Sequence, residues 1–109
     1  MPFKFEKLEI WKLAIDLADD VHNLTRNFPK EEMFSLSSQM KRAADSISLN
    51  ISEGSTGQSD PEQMKFLGYS LRSALEVVNC LYLANRRNYI DKQQFDKLYS
   101  ELEILIIKI

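Results

Sequence analysis

Four stretches of apolar residues recurring every three or four positions, each cut by a residue that ends helices, constrain this chain more than any other feature. Leu8, Trp11, Ile15, Ala18, Val21 and Leu24 mark the first, which stops at Phe28-Pro29, where proline lacks a donor and pushes its predecessor out of the helical region. Lys30 to Phe34 reads as a one-turn connection. The second stretch starts with Ser35 as N-cap, runs to Glu53 and stops at Gly54, a residue suited to the left-handed position after a helix. Ser55 to Ser59 has the composition of a loop. Asp60-Pro61-Glu62-Gln63 then restarts helix, with Asp as N-cap, Pro at the first position and Gln at N3. This third helix continues to about Arg87 and turns at Asn88-Tyr89. Asp91 and Gln94 form a capping box for the fourth, with Ile90 placed to staple onto Phe95. Phe95, Leu98, Leu102, Leu105 and Ile109 follow as a heptad seam. Long helices with short links pack antiparallel to their neighbours, so the expected fold is all-α: an up-down-up-down four-helix bundle, with residues 1–109 forming one domain.

The second helix has three faces where an amphipathic helix usually has two. Leu36, Met40, Ala43, Ala44, Ile47 and Ile51 make an apolar face. Lys41, Asp45 and Ser48 point to water. Gln39, Arg42, Ser46, Asn50 and Glu53 fall within about 80° of one another and form a polar seam beside the apolar face. The third helix is apolar on two sides. Met64, Leu67, Leu71, Leu75, Val78 and Tyr82 lie on one side, and Phe66, Ser70, Ser73, Val77, Cys80 and Ala84 lie roughly 160° away. On the first helix Leu13, Leu17 and Phe28 lie off the main stripe. Contiguous exposed apolar patches are rare on monomers, so these surplus faces predict self-association. In that frame the seam, with Glu76, is an interhelical or intersubunit network that sets register and partner choice, Arg42 pairing with Glu76 or Glu53. The alternative is a small-molecule or metal-binding bundle whose pocket is lined by Gln39 to Glu53.

Residue counts weigh against catalysis. A di-iron bundle needs two Glu-x-x-His pairs, but His22, in Asp19-x-x-His22, is the single histidine. Cys80, the single cysteine, sits in the apolar run VVNCLYLA and reads as a small buried side chain. Gly54-Ser-Thr-Gly57 lacks the lysine of a phosphate loop. The expected protein is therefore not an enzyme and uses no cofactor or metal. No apolar run approaches the roughly 20 residues that cross a bilayer, and MPFKFEKLEIW is too charged for a signal peptide, so a cytoplasmic location is expected.

The net charge of −2 gives no global attraction to nucleic acid, so any such binding needs a local patch. The predicted topology supplies one. The ends of helices one and three and the start of helix four share a pole that collects Arg26, Lys30, Arg86, Arg87 and Lys92, with Lys41 just below, diluted by Glu31, Glu32 and Asp91. The simpler reading of these cations is solvated helix ends; the other makes them candidate nucleic-acid contacts, with little aromatic interleaving for base stacking beyond Tyr89.

Phe5-x-x-Leu8-x-x-Trp11-x-x-Ala14, then Phe28-Pro29-x-x-Glu32-x-x-x-Leu36-x-x-Gln39-x-x-Arg42-Ala43-x-x-Ser46-Ile47-x-x-Asn50-Ile51-x-Glu53-Gly54, resembles the bacterial four-helix-bundle family that includes proteins encoded in intervening sequences of 23S ribosomal RNA genes. Phe66-Leu67-x-x-Ser70-Leu71-x-Ser73-Ala74-x-Glu76 continues the resemblance. Asn88 stands where the family often has the glycine of a Gly-Tyr-Ile turn, and Asn also tolerates positive φ. The resemblance implies a bundle assembled into a ring, typically a homopentamer, with no catalytic residues. The accessory variability proteins of diversity-generating retroelements are similar in fold and form basic rings that bind nucleic acid and a reverse transcriptase. The resemblance thus implies a homo-oligomeric scaffold whose partner is RNA, DNA or a nucleic-acid-processing protein.

Overall fold

In a computed structural model describing residues 3–56 and 59–109, the periodic stretches become four α-helices and the described residues hold no strand. α1 spans Glu9–Thr25, α2 Leu36–Gly54, α3 Asp60–Arg86 and α4 Lys92–Lys108. Single 3-10 turns precede α1 (Lys4–Lys7) and α2 (Lys30–Glu32). Gly57 and Gln58, within the predicted loop, lie outside the described residues.

Each helix packs on its sequence neighbours, α4 closes against α1, and the α2–α3 contact is the most extensive. The direction follows from paired residues. Ser70 and Ser73 of α3 meet Ile47 and Ser46 of α2, so one number rises as the other falls. His22 of α1 meets Asp45 of α2, Tyr82 of α3 meets Phe95 of α4, and Asp20 and Glu9 of α1 meet Lys97 and Lys108 of α4. All neighbours are antiparallel, as the short links require. The molecule measures 44 × 25 × 24 Å, its length set by α3, whose 27 residues at a rise of 1.5 Å span about 40 Å.

The stops work as read, with two shifts. Pro29 follows the end of α1, and Asp91 and Gln94 make the expected reciprocal capping box. Asn88 adopts φ 61°. The amide of Tyr89 reaches the Ala84 carbonyl at 2.9 Å and that of Asn88 reaches Asn85 at 3.1 Å, the pair of bonds that closes a helix through a left-handed residue. The α3 cap is Ser59 rather than Asp60: its hydroxyl accepts from the Glu62 amide at 3.2 Å, which puts Asp60 inside the first turn. Gly54 is not a left-handed terminator. It is the buried last residue of α2, where a Cβ would stand 2.9 Å from Phe66 Cβ. Glycine is needed there for close helix approach, not for backbone freedom.

One core joins all four helices. It includes Ala14, Leu17, Val21, Met40, Ala44, Ile47, Ile51, Ala74, Val77, Leu81, Leu98, Leu102 and Leu105. Leu17 and Phe28, read as off the stripe, are buried, whereas Ile15 is exposed. The small residues Ala14 and Ala18 face inward and let the neighbouring helices approach, which rotates the buried arc of α1 away from Ile15. Ser48, expected in water, is buried, with its hydroxyl donating to the Asp45 carbonyl at 3.2 Å. Of the two apolar sides of α3, the one carrying Ser70, Val77, Cys80 and Ala84 is the core; Met64, Leu75 and Tyr82 on the other are exposed.

Candidate functional site

The polar seam divides by side-chain length. At the close α2–α3 contact Asn50 donates to the Ser46 carbonyl at 2.8 Å and to its hydroxyl at 3.0 Å, and Ser73 of α3 donates to the same hydroxyl at 3.0 Å. Ser70, fully buried, donates to the Ile47 carbonyl at 2.9 Å. Short side chains can bond across helices this close. The long ones cannot stay: Gln39, Arg42, Glu53 and Glu76 are exposed. Within the chain Arg42 pairs with neither Glu53 nor Glu76, which leaves only the intersubunit form of the expected pairing open.

The pole shared by the α1–α2 and α3–α4 connections is organised by Glu32, a residue read from the sequence as mere dilution of positive charge. Its carboxylate is buried and accepts from four donors. Ser35 Oγ reaches Oε1 at 2.8 Å with the Leu36 amide at 3.4 Å, while the Tyr89 hydroxyl and Arg87 reach Oε2 at 2.8 and 3.0 Å. Ser35 thus occupies the N-cap position of α2 but donates its hydroxyl to Glu32. The Tyr89 bond, then that of Ser35, holds Glu32 below its ordinary carboxylate pKa against the opposing effect of burial. The same bond raises the Tyr89 phenol. With its hydroxyl engaged and its ring 5.4 Å from Phe28, Tyr89 is a strut of the fold and not a free stacking surface.

The six candidate nucleic-acid contacts therefore separate. Arg87 is committed to Glu32, and Lys92 to Asp96 at 2.7 Å. Arg86 is exposed at the end of α3. Arg26, Lys30 and Lys41 instead converge on one cleft of about 340 Å³, shared with His22, Thr25, Phe28, Pro29, Met33 and Ser37. Among the described residues none of these three cations has a carboxylate within ion-pair distance. His22 at the margin is bound to Asp45, with Nε2 3.0 Å from Oδ1. The arrangement is a cationic cleft with an apolar wall.

A sequence profile of the 23S rRNA-intervening sequence protein family matches residues 6–109. The chain belongs to this family. A similar solved structure, a protein of unknown function from the S23 ribosomal protein family of Bacteroides thetaiotaomicron, is 26% identical. That match covers 89% of this chain and 88% of the other, with a TM-score of 0.81. No curated protein matches the chain significantly.

The chain also holds a carboxyl cluster that sequence reasoning missed. Glu101 of α4 faces Asp20 and Asp16 of α1, with Lys97 on Asp20 at 3.4 Å. Burial first, then the hydrogen bond and charge of Asp20, raise Glu101 to about 7, with Lys97 opposing. Its Oε2 is buried without a partner. The signal was present in the heptad: Glu101 lies three residues after Leu98 and four before Leu105, inside the apolar stripe. Among the described residues no three His, Cys, Asp or Glu side chains are grouped to hold a metal ion, and no helix is long and apolar enough to cross a membrane. Cys80 is free and buried, and burial raises its thiol above the ordinary value.

Proposed function

We propose that this protein is a non-enzymatic, self-associating helical scaffold that binds nucleic acid through the pole carrying Arg26, Lys30 and Lys41. The convergence of three unpaired cations on one cleft carries this reading, in a chain whose net charge of −2 would otherwise repel a phosphate backbone. The family's name makes RNA the first ligand to try. Three phosphate contacts per subunit give a log–log salt slope near −2 on a single strand, so a fourfold rise in salt weakens binding about 20-fold. Reversing Arg26 and Lys41 to glutamate should cost at least about tenfold in RNA affinity, whereas Lys4→Glu at the opposite pole should change it less than about twofold. Absence of RNA binding, or binding insensitive to both salt and the Arg26/Lys41 reversal, would refute this function.

Self-association is the second part of the proposal. Between α3 and α4 lies an apolar groove of about 290 Å³ formed by Leu75, Val78, Tyr99, Leu102, Ile106 and Ile107. Leu75 and Ile107 are 53% and 78% exposed, a face better suited to a subunit interface than to water. Arg42, Glu53 and Glu76, without partners inside the chain, are available for pairing between subunits. A homopentameric ring is the assembly we propose, and it would repeat the cationic cleft around its rim. Light scattering should give a multiple of the 12.7 kDa chain mass, reduced by Arg42→Glu. A monomeric mass at micromolar concentration would refute the ring.

A further inference from the structure

The pole with the cationic cleft also carries Phe34, which at 91% exposure is the most exposed large apolar side chain among the described residues. Nothing in the sequence pattern singles it out, since it falls in a connection. The turn that carries it is tied down, however. On one side of Phe34 the Met33 amide bonds the Lys30 carbonyl at 3.0 Å, and on the other the Ser35 amide bonds the Glu32 carbonyl at 3.0 Å. The Glu32 side chain adds Ser35 within the turn and Arg87 and Tyr89 from the α3–α4 connection. Phe34 is therefore held out into solvent by a turn anchored on both sides. Met33, half exposed, lines the cleft together with the three unpaired cations, and Phe34 is the next residue in the chain.

We propose that this pole binds single-stranded nucleic acid, with phosphates in the Arg26–Lys30–Lys41 cleft and a base stacked on Phe34. This rests on the nucleic-acid reading above and narrows it to one strand. An aromatic ring takes up a base through its π-face, which a duplex hides inside its stack. The positive stretch is also short. Beyond His22 and Arg26 the surface turns acidic in an adjoining hollow lined by Asp19 and Asp45, which would repel the continuing charge of a duplex. A cleft of about 340 Å³ has room for a nucleotide-sized group.

The test measures anisotropy of a labelled short oligouridylate and of a duplex of equal length, against the full chain and two variants at this exposed site. Phe34→Ala should weaken the single strand by about fivefold or more, the range of one lost base stack, while leaving the salt slope unchanged. Phe34→Trp should restore affinity and add a tryptophan emission quenched by the oligonucleotide. Wild type should prefer the single strand over the duplex. If Phe34→Ala binds the single strand as wild type does while the Arg26/Lys41 reversal still abolishes binding, the stacking inference fails and the nucleic-acid reading survives. Equal binding of strand and duplex, or a change of oligomeric mass in Phe34→Ala, also overturns the inference. If wild type binds neither nucleic acid, both readings fall.

Discussion

The two poles of the bundle solve the same problem in opposite ways. Each must satisfy helix ends and connect antiparallel neighbours. At the pole holding the α2–α3 connection the solutions are local. Ser59 caps α3, Phe5 packs edge-on to Trp11 at 5.0 Å and Lys65 pairs with Glu62 at 3.0 Å, while the remote Lys108–Glu9 pair, at 3.0 Å, lies on the exposed surface and not in a buried network. At the other pole the solution is long-range. Glu32 is withdrawn from the surface to receive groups from both connections, so a carboxylate close in sequence to Lys30 is committed elsewhere. Positive charge at the Arg26–Lys30–Lys41 cleft follows from where that acid goes, more than from any excess of basic residues.

Three perturbations would break or sharpen this contrast. The largest effect should come from Glu32→Ala, which strips an acceptor from Arg87, Tyr89, Ser35 and the Leu36 amide at once; a melting temperature several degrees lower is expected by circular dichroism. Because the fold lowers the Glu32 pKa, its contribution is present above the unfolded value of 4.5 and is lost as pH falls through the lowered value, so the deficit of Glu32→Ala should shrink in acid. An unchanged melting temperature would show that the pole is not held by this carboxylate.

Next come the two helical glycines. Gly54→Ala sets a Cβ 2.9 Å from Phe66 Cβ and 3.3 Å from the Gln63 carbonyl, neither of which can swing away, and should cost about 1–2 kcal/mol in urea unfolding after its small gain in helix propensity. Gly68→Ala meets nothing within 4 Å and should stabilise by roughly 0.5–1 kcal/mol. Equal signs for the two would contradict the close approach at the α2–α3 end.

A comparably modest effect is expected midway between the poles. Unfolded Glu101 ionises near 4.5, but in the fold it keeps its proton up to about 7. Across that window the native state binds more protons than the unfolded one, so stability falls as pH rises and stays reduced above pH 7. Glu101→Gln keeps a neutral donor facing Asp20. It should flatten the decline and raise stability at mildly alkaline pH by about 1 kcal/mol, a value reduced for partial exposure. Parallel pH–melting curves for the variant and wild type would exclude this coupling.

Legibility in the sequence followed the range of the interactions. Asp91 with Gln94, Asn88 at the left-handed turn and Pro29 after α1 were readable because each acts on backbone groups a few residues away. Ser59 and Asp60 could both cap α3, and backbone geometry chose the earlier residue. On α1 the apolar arc was too wide to phase, and only packing showed that Leu17 is buried and Ile15 is not. In the seam the residue types were visible, but the separation of Ser46, Asn50 and Ser73 from exposed Arg42 and Glu76 depends on helix spacing. Phe34 left no periodic trace because its distinction is exposure.

By itself, then, the sequence determined four helices, their stops, their antiparallel order and their family, since helix periodicity and capping are written in neighbouring residues. Tertiary structure alone decided which apolar side of α3 became core, why Gly54 must lack a side chain and which cations were left free. Those outcomes depend on distances between groups as remote as Glu32 and Tyr89, 57 positions apart and joined by a 2.8 Å hydrogen bond.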